Sequence, residues 1–406
     1  METKRGRMRS ERIVLYMLCS VGMIATLSQL VFLPSIATIR EELSATTLQV
    51  SLTVALYSLS LAVAQLVYGP LVDRWPPKTI LMTGLSIFTI SSFGIFLSES
   101  IHWIIAFRVL QALGVGAVGV CGNAIISDLF SGLERDQSIS VFQMFHSVGA
   151  AVGPAFGATV GLFLNWRFSF LFLTLMVAGV MAVLLWKMPE GRKVSSFSFR
   201  SALRLLRAPH LVYLCLSAAG TSFVIQSFHT SLGFLFTDHF HIHAAWTGYA
   251  FMTIPLGVFT GSNISRNLLS RIEREKIVYI GLVALCASSG AFAALVYLFR
   301  DPAAVLAIIP NLYLVGVSLG IVFSVVTSMM VNWFPELRGT ALSLLFFSRH
   351  LFATAGPMLT GFVIGLGHVP LAYAFISAAA FLALPTFVAG VRFSRTQAQV
   401  AAAASK

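Results

Sequence analysis

Charge is what this chain has least of. Only 10% of its 406 residues are charged and 57% are hydrophobic. A soluble globular protein of that length would need a far more charged surface, so that class is excluded. An alternating apolar and polar strand pattern is missing too, which leaves helix as the only way to satisfy backbone groups in lipid. The four cysteines (Cys19, Cys121, Cys215, Cys286) are isolated within apolar stretches and read as small packing residues. No A-x-A cleavage site flanks the first apolar run, so it does not read as a removed signal. There is no intramembrane aspartate pair, no H-E-x-x-H and no G-x-S-x-G, which argues against a polytopic membrane enzyme.

What is present is a series of apolar runs of about 20 residues, the length that spans a bilayer as helix. Twelve occur, from roughly 13–33 to roughly 369–391. The fold class expected is an all-α membrane protein with twelve transmembrane helices in two six-helix halves. With the N-terminus placed in the cytoplasm, the inside segments carry 22 Lys and Arg. The outside loops carry only Arg40, Arg167 and Arg300. That bias places both termini in the cytoplasm of a multi-pass protein of the inner membrane. It also accounts for the net charge of +12 without nucleic acid.

The longest inside loop, near 187–210, is basic and serine-rich and divides six spans from six. The domains expected are a first half over 1–187, a linker over 188–209 and a second half over 210–406. Within the linker, Phe199 to Arg207 suits a short amphipathic helix on the inner leaflet or a solvated basic stretch. The halves echo each other. Gly69, Asp73 and Arg74 after the second span correspond to Gly261, Ser265 and Arg266 after the eighth. Gly153 and Pro154 in the fifth span correspond to Gly356 and Pro357 in the eleventh, and Asp128 to Phe130 corresponds to Asn332 to Phe334. Parallel six-span repeats suit a midplane site between halves that rock.

Two residues remain that a membrane interior should not tolerate. Arg108 and Arg349 lie deep in apolar spans that hold no carboxylate; all fifteen acids lie in loops or tails, apart from Asp128 at a span end. A mid-membrane cation persists where it faces a water-filled cavity or a partner. Arg108 and Gln111 share a helical face, directed to a cavity or, for Arg108, snorkelling to the surface. His146 is seven before Gly153 and Arg349 is seven before Gly356, so the repeat gives them equivalent depths on opposite sides of the expected site. Gln226 and His229 of the seventh span complete the substrate-binding set, with Tyr57, Asn123, Asn311 and Tyr313 as further lining. Each histidine or glutamine also suits an interhelical hydrogen bond. Phe32, Phe142 and Phe346 suit an apolar part of the cargo. His239, His241 and His243 with Asp238 form an outside-loop cluster that reads as a polar loop or a metal site.

Three motifs carry a family resemblance. They are Gly69, Leu71, Asp73, Arg74 and Lys78 between the second and third spans; Arg108, Gln111, Ala112 and Gly114 in the fourth; and Gly149, Gly153, Pro154 and Gly157 in the fifth. On these residues the whole chain resembles a major facilitator superfamily transporter of the twelve-span drug:proton antiporter group, Bcr/CflA-like. The resemblance implies the MFS fold, a latch of the outward-facing state from Gly69, Asp73, Arg74 and Lys78 with Asp128, and an antiporter motif in the fifth span that marks exporters. Pro76, Pro77, Ala112 and Ala158 depart from the family's pattern. The acidic residue that this group carries four before a proline in the first span is Leu30 here, before Pro34. A histidine is the available substitute. Burial near arginine favours its neutral ring, and an anionic substrate favours the protonated one.

The function expected is therefore secondary active transport: export of a small organic anion or an amphiphilic metabolite or drug by alternating access, coupled to protons, with no other cofactor and no bound metal. Uptake of a small organic acid is the alternative. The partners expected are that small molecule and the lipid bilayer, no nucleic acid, with the chain a monomer.

Overall fold

All regular structure among the described residues is helical. The structure is a computed structural model that describes residues 2–188, 208–236, Phe240, 244–299, Asp301 and 304–404. Most of the linker, including Phe199 to Arg207, and the cluster of Asp238, His239, His241 and His243 lie outside the described residues, as does Arg300.

Among the described residues the expected spans appear as twelve long helices. They are α1 (Glu2–Leu30), α3 (Thr47–Arg74), α4 (Pro77–Leu97), α5 (Ile101–Leu129), α6 (Gly132–Phe163), α7 (Trp166–Lys187), α8 (Pro209–Phe234), α9 (Ala244–Leu268), α10 (Arg274–Leu298), α11 (Val305–Trp333), α12 (Arg338–Gly365) and α13 (Val369–Ala404). Ten are apolar enough over 18 residues to cross a membrane. The other two, α9 and α12, carry more hydroxyl and amide side chains; α12 also holds Arg349 and His350 mid-span. Their polarity comes from the positions that matter below.

Helix starts follow local chemistry. Thr46 and Gln49 form a capping box at α3, with Gln49 Oε1 accepting from the Thr46 amide at 2.9 Å. Pro77 and Pro209 open α4 and α8, where a missing N–H costs nothing. The Asn165 side chain caps α7, accepting from the Arg167 amide at 2.9 Å. One element was not expected: a short helix α2 (Ile36–Glu42) follows a 3-10 turn at Leu33–Ser35. It contains Arg40, Glu41 and Glu42 and has no apolar run to betray it.

Contacts divide the chain into two compact units. The first comprises residues 1–197 with 335–347, and the second comprises 198–334 with 348–406.

In the first unit, α1 and α6 meet along a line of glycines. Cβ atoms added at Gly149 and Gly157 would land on the carbonyl oxygens of Met23 and Val31, and one at Gly153 would come 3.2 Å from that of Leu27. Two rows at intervals of four thus bring backbone against backbone. Gly157→Val should cost about 1–3 kcal/mol by overpacking. Gly161→Val should be nearly neutral, because its Cβ would have only Ser35 Oγ nearby, at 3.7 Å. Thermal unfolding of the two purified variants checks this.

The first unit also has a polar clasp outside the spans. Glu42 pairs with Arg167 and accepts from Trp166 Nε1 at 2.6 Å. Arg167 Nε and Nη2 donate to the Ser98 carbonyl at 3.3 and 3.2 Å, so α2, α4 and α7 are tied at one end. Burial alone would raise the Glu42 pKa. The hydrogen bonds from Trp166 and Arg167 and the guanidinium charge outweigh it and hold the carboxyl below its ordinary value. A lowered carboxylate pKa stabilises fully above the ordinary value, about 4.3, and that stabilisation is lost as pH falls through the lowered one. Glu42→Gln should lower the melting temperature at pH 7 and make it fall less steeply between pH 5 and pH 3. Melts across that range measure it.

The second unit is centred on Phe228, Phe292 and Tyr373, with ring centroids 4.9 to 5.9 Å apart. The neighbouring buried aliphatics include Ile254, Leu285, Leu312 and Leu319.

Candidate substrate and gating residues

Arg108 is enclosed rather than snorkelling: it is 1% exposed. Its Nη1 donates to the Ser28 carbonyl of α1 at 3.1 Å and to Gln111 Oε1 at 2.9 Å. The guanidinium carbon lies 4.0 Å from the Tyr57 ring centroid and 5.0 Å from that of Phe32. Gln111 Nε2 passes the network on to Ser92 Oγ of α4 at 2.8 Å. The three-residue spacing did place Arg108 and Gln111 on one face. The arrangement ties α5 to α1, α3 and α4 through one cation held by dipoles and π-faces. Arg108 Nε is buried without a hydrogen-bond partner among the described residues.

Arg349 is half-buried on α12. Its Nε donates to Ser222 Oγ of α8 at 3.2 Å, and its guanidinium lies 4.0 Å from the Phe323 centroid. His146, half-buried on α6, has Nδ1 2.8 Å from Thr26 Oγ1 of α1 and packs edge-on against Phe142.

These contacts obey the repeat. Gly153 faces Leu27 and Gly356 faces Phe223. Thr26 directly precedes Leu27, just as Ser222 directly precedes Phe223. His146 on Thr26 in the first unit is therefore the register equivalent of Arg349 on Ser222 in the second. The hydroxyl partners went unnoticed in the sequence because α1 and α8 carry no motif around them.

Gln226 and His229 are half-buried on α8. Tyr57 lies under Arg108. Asn123 Nδ2 donates to the Gly119 carbonyl at 2.8 Å and Tyr313 OH to Thr260 at 2.8 Å, whereas the side-chain oxygens of Asn123 and Asn311 are buried without a partner among the described residues.

The acids of the expected latch, Asp73 and Asp128, meet the start of α12. Asp73, 3% exposed at the end of α3, accepts from the amides of Gly339 at 2.9 Å and Thr340 at 2.7 Å, and from the Thr340 hydroxyl at 2.5 Å. It thereby caps the N-terminus of α12, where orphan amides and the helix dipole favour an anion. Asp128 pairs with Arg338. Gly69 and Gly339 allow the approach: Cβ atoms there would come within 2.8 Å of Gly339 O and 2.6 Å of Gly69 O, respectively. Lys78 Nζ donates instead to the carbonyls of Met188 at 2.5 Å and Leu185 at 3.5 Å, closing the end of α7. Arg74 is exposed and lies over the Trp75 ring. Arg338, Gly339 and Thr340 were missed; a basic residue followed by glycine at a helix start was the available signal.

Twelve long helices, with polar partners that recur in register between two units, define a multi-pass membrane protein of the kind that moves solutes. The sequence profile of the Major Facilitator Superfamily matches residues 18–327, and the chain belongs to that superfamily. Over 337 residues the chain is 25% identical to a chloramphenicol resistance protein of Pseudomonas aeruginosa, covering 81% of this chain and 79% of that one. Over 193 residues it is 30% identical to multidrug resistance protein D of Escherichia coli K12, covering 48% of each. The fold resembles the crystal structure of the superfamily transporter FucP in the outward conformation, with a TM-score of 0.80 over 94% of this chain and 99% of that one, at 15% identity.

Proposed function

We propose that this transporter exports a small organic anion or amphiphilic acid across the cytoplasmic membrane by alternating access, with the proton as coupling ion and no other cofactor. The observation that carries this reading is the charge map. The spans hold two mid-depth cations, and every carboxylate within a span lies within five residues of its end. A cationic cargo would find nothing to neutralise it at that depth, while a carboxylate or phosphate finds a guanidinium fork. Of the two, Arg349 is the direct ligand, with Phe323 beside it for an apolar portion. Arg108 acts through α1, whose position it holds by the Ser28 carbonyl. Gln226, His229 and His146 supply polar contacts.

Two features support export over uptake. The relatives named above are resistance proteins, and the glycine line of α6 is the family's exporter motif. The protein works as a monomer with both termini in the cytoplasm. Membrane vesicles of both orientations test the direction. Salicylate and citrate should accumulate in inside-out vesicles and not in right-side-out ones; the reverse pattern overturns export in favour of uptake.

A further inference from the structure

At the end of the first unit opposite Asp73 and Asp128, one acid has no role so far. Glu99 stands in the short link between α4, which ends at Leu97, and α5, which begins at Ile101. It is exposed, and among the described residues it makes no hydrogen bond and no ion pair. Arg167 reaches the link at the Ser98 carbonyl but is paired with Glu42. The His102 imidazole lies between Ser100 Oγ and Gln49 Nε2, 3.4 Å from each. Beside Glu99 the two helices leave a cleft of about 660 Å³, walled by Gly94, Leu97, Trp103 and Phe107. That size falls within the ~300–1,000 Å³ of small-molecule sites. Gly94 makes the room: a Cβ there would come 2.6 Å from the Phe107 ring, on which Trp103 stacks at 5.9 Å between centroids. Both walls continue as apolar rows at helical spacing. Ile90, Phe93 and Leu97 are exposed on α4, and Trp103 and Leu110 flank Phe107 on α5. Leu97 is 60% and Trp103 62% exposed. On spans as apolar as these, such rows meet acyl chains, so a furrow open to lipid ends at a free carboxylate.

We propose that this cleft binds a phospholipid whose head group ends in a primary ammonium. The ammonium pairs with Glu99 at the rim, within reach of the Trp103 face, and one acyl chain lies in the furrow between α4 and α5. Three observations select this occupant. The carboxylate calls for a cation that the described contacts do not supply, and an anionic head group would set its charge against it. A primary ammonium also donates hydrogen bonds to a carboxylate, which a choline head group has no N–H to do. The apolar rows run on along both helices beyond the cleft, so a water-soluble amine would satisfy Glu99 and leave them uncovered, whereas an acyl chain covers them. Trp103 is the residue type that sits at head-group level, with an apolar body and a polar Nε1. The site is independent of the cargo and of the direction of transport.

Trp103 reports on its own neighbours. Acyl-brominated lipids quench the indoles they touch, and wild-type fluorescence minus that of Trp103→Phe isolates this one. The protein is placed in phosphatidylcholine nanodiscs holding equal small fractions of brominated phosphatidylethanolamine or brominated phosphatidylglycerol. Quenching of Trp103 by the ethanolamine lipid should exceed that by the glycerol lipid about threefold, the scale of an exposed ion pair. Glu99→Gln keeps the shape and removes the charge at an exposed position, so it should bring the two lipids to equal quenching. Equal quenching in the wild type, stronger quenching by the glycerol lipid, or a preference for the ethanolamine lipid that persists in Glu99→Gln overturns the proposal.

Discussion

Asp73→Ala should raise amide exchange at Gly339 and Thr340 by about 100-fold, and vesicle transport should fall more than tenfold. The carboxylate accepts three hydrogen bonds at the start of α12 while almost fully buried. A hydrogen bond to a charged group is worth about 1.5–3 kcal/mol net, and placement at a helix N-terminus adds up to about 1 kcal/mol. Losing about 3 kcal/mol corresponds to somewhat more than two decades in the local opening equilibrium. Asp73→Asn keeps the shape but turns an NH2 toward donors, so it should lose nearly as much. Lys78→Ala supplies the contrast. Its ammonium serves the end of α7, so exchange at 339 and 340 should not change. Exchange mass spectrometry of the three variants decides whether the acid or the basic cluster holds this contact.

The second large effect separates the two arginines. Arg349→Ala should reduce anion transport at least 100-fold while the melting temperature moves by only a few degrees. It is only half-buried, and truncation takes one donor from Ser222 Oγ, which is left free to accept from another group. Arg349→Lys should recover part of the rate, since charge remains but the planar fork does not. Arg108→Ala should behave differently. It empties an enclosed site, strands Gln111 Oε1 and removes two cation–π contacts, at a cost of about 3 kcal/mol. Its loss of transport should therefore come with a clear loss of thermal stability. Melting curves read beside flux assays distinguish the two roles; equal stability of the two alanine variants would place both arginines in the same kind of site.

These roles were only partly visible in the residues themselves. The twelve long helices were legible because apolar runs of bilayer length leave few alternatives. The repeat was legible because Gly153 with Pro154 and Gly356 with Pro357 are rare pairs at matching places. Neither signal carries information about what a long side chain reaches. Lys78 belongs to the motif between the second and third spans, yet its ammonium reaches the carbonyls at the end of α7. Arg108 sits deep in a span, yet its charge is held by a carbonyl of α1, 80 residues away in the chain. Thr26 and Ser222 look like any other small polar residues until Gly153 and Gly356 bring their helices against α6 and α12. The short helix α2 is too polar to announce itself by periodicity, although its Glu42 organises the clasp with Arg167.

The central claim is that charge selects the cargo. One aromatic skeleton bearing a carboxylate, an amide or an ammonium group, offered to inside-out vesicles under an imposed pH gradient, tests it without the confusion of shape. The carboxylate should be accumulated, the amide weakly or not at all, and the ammonium excluded, with the carboxylate flux lost in Arg349→Ala. Robust accumulation of the ammonium compound and none of the carboxylate would contradict it.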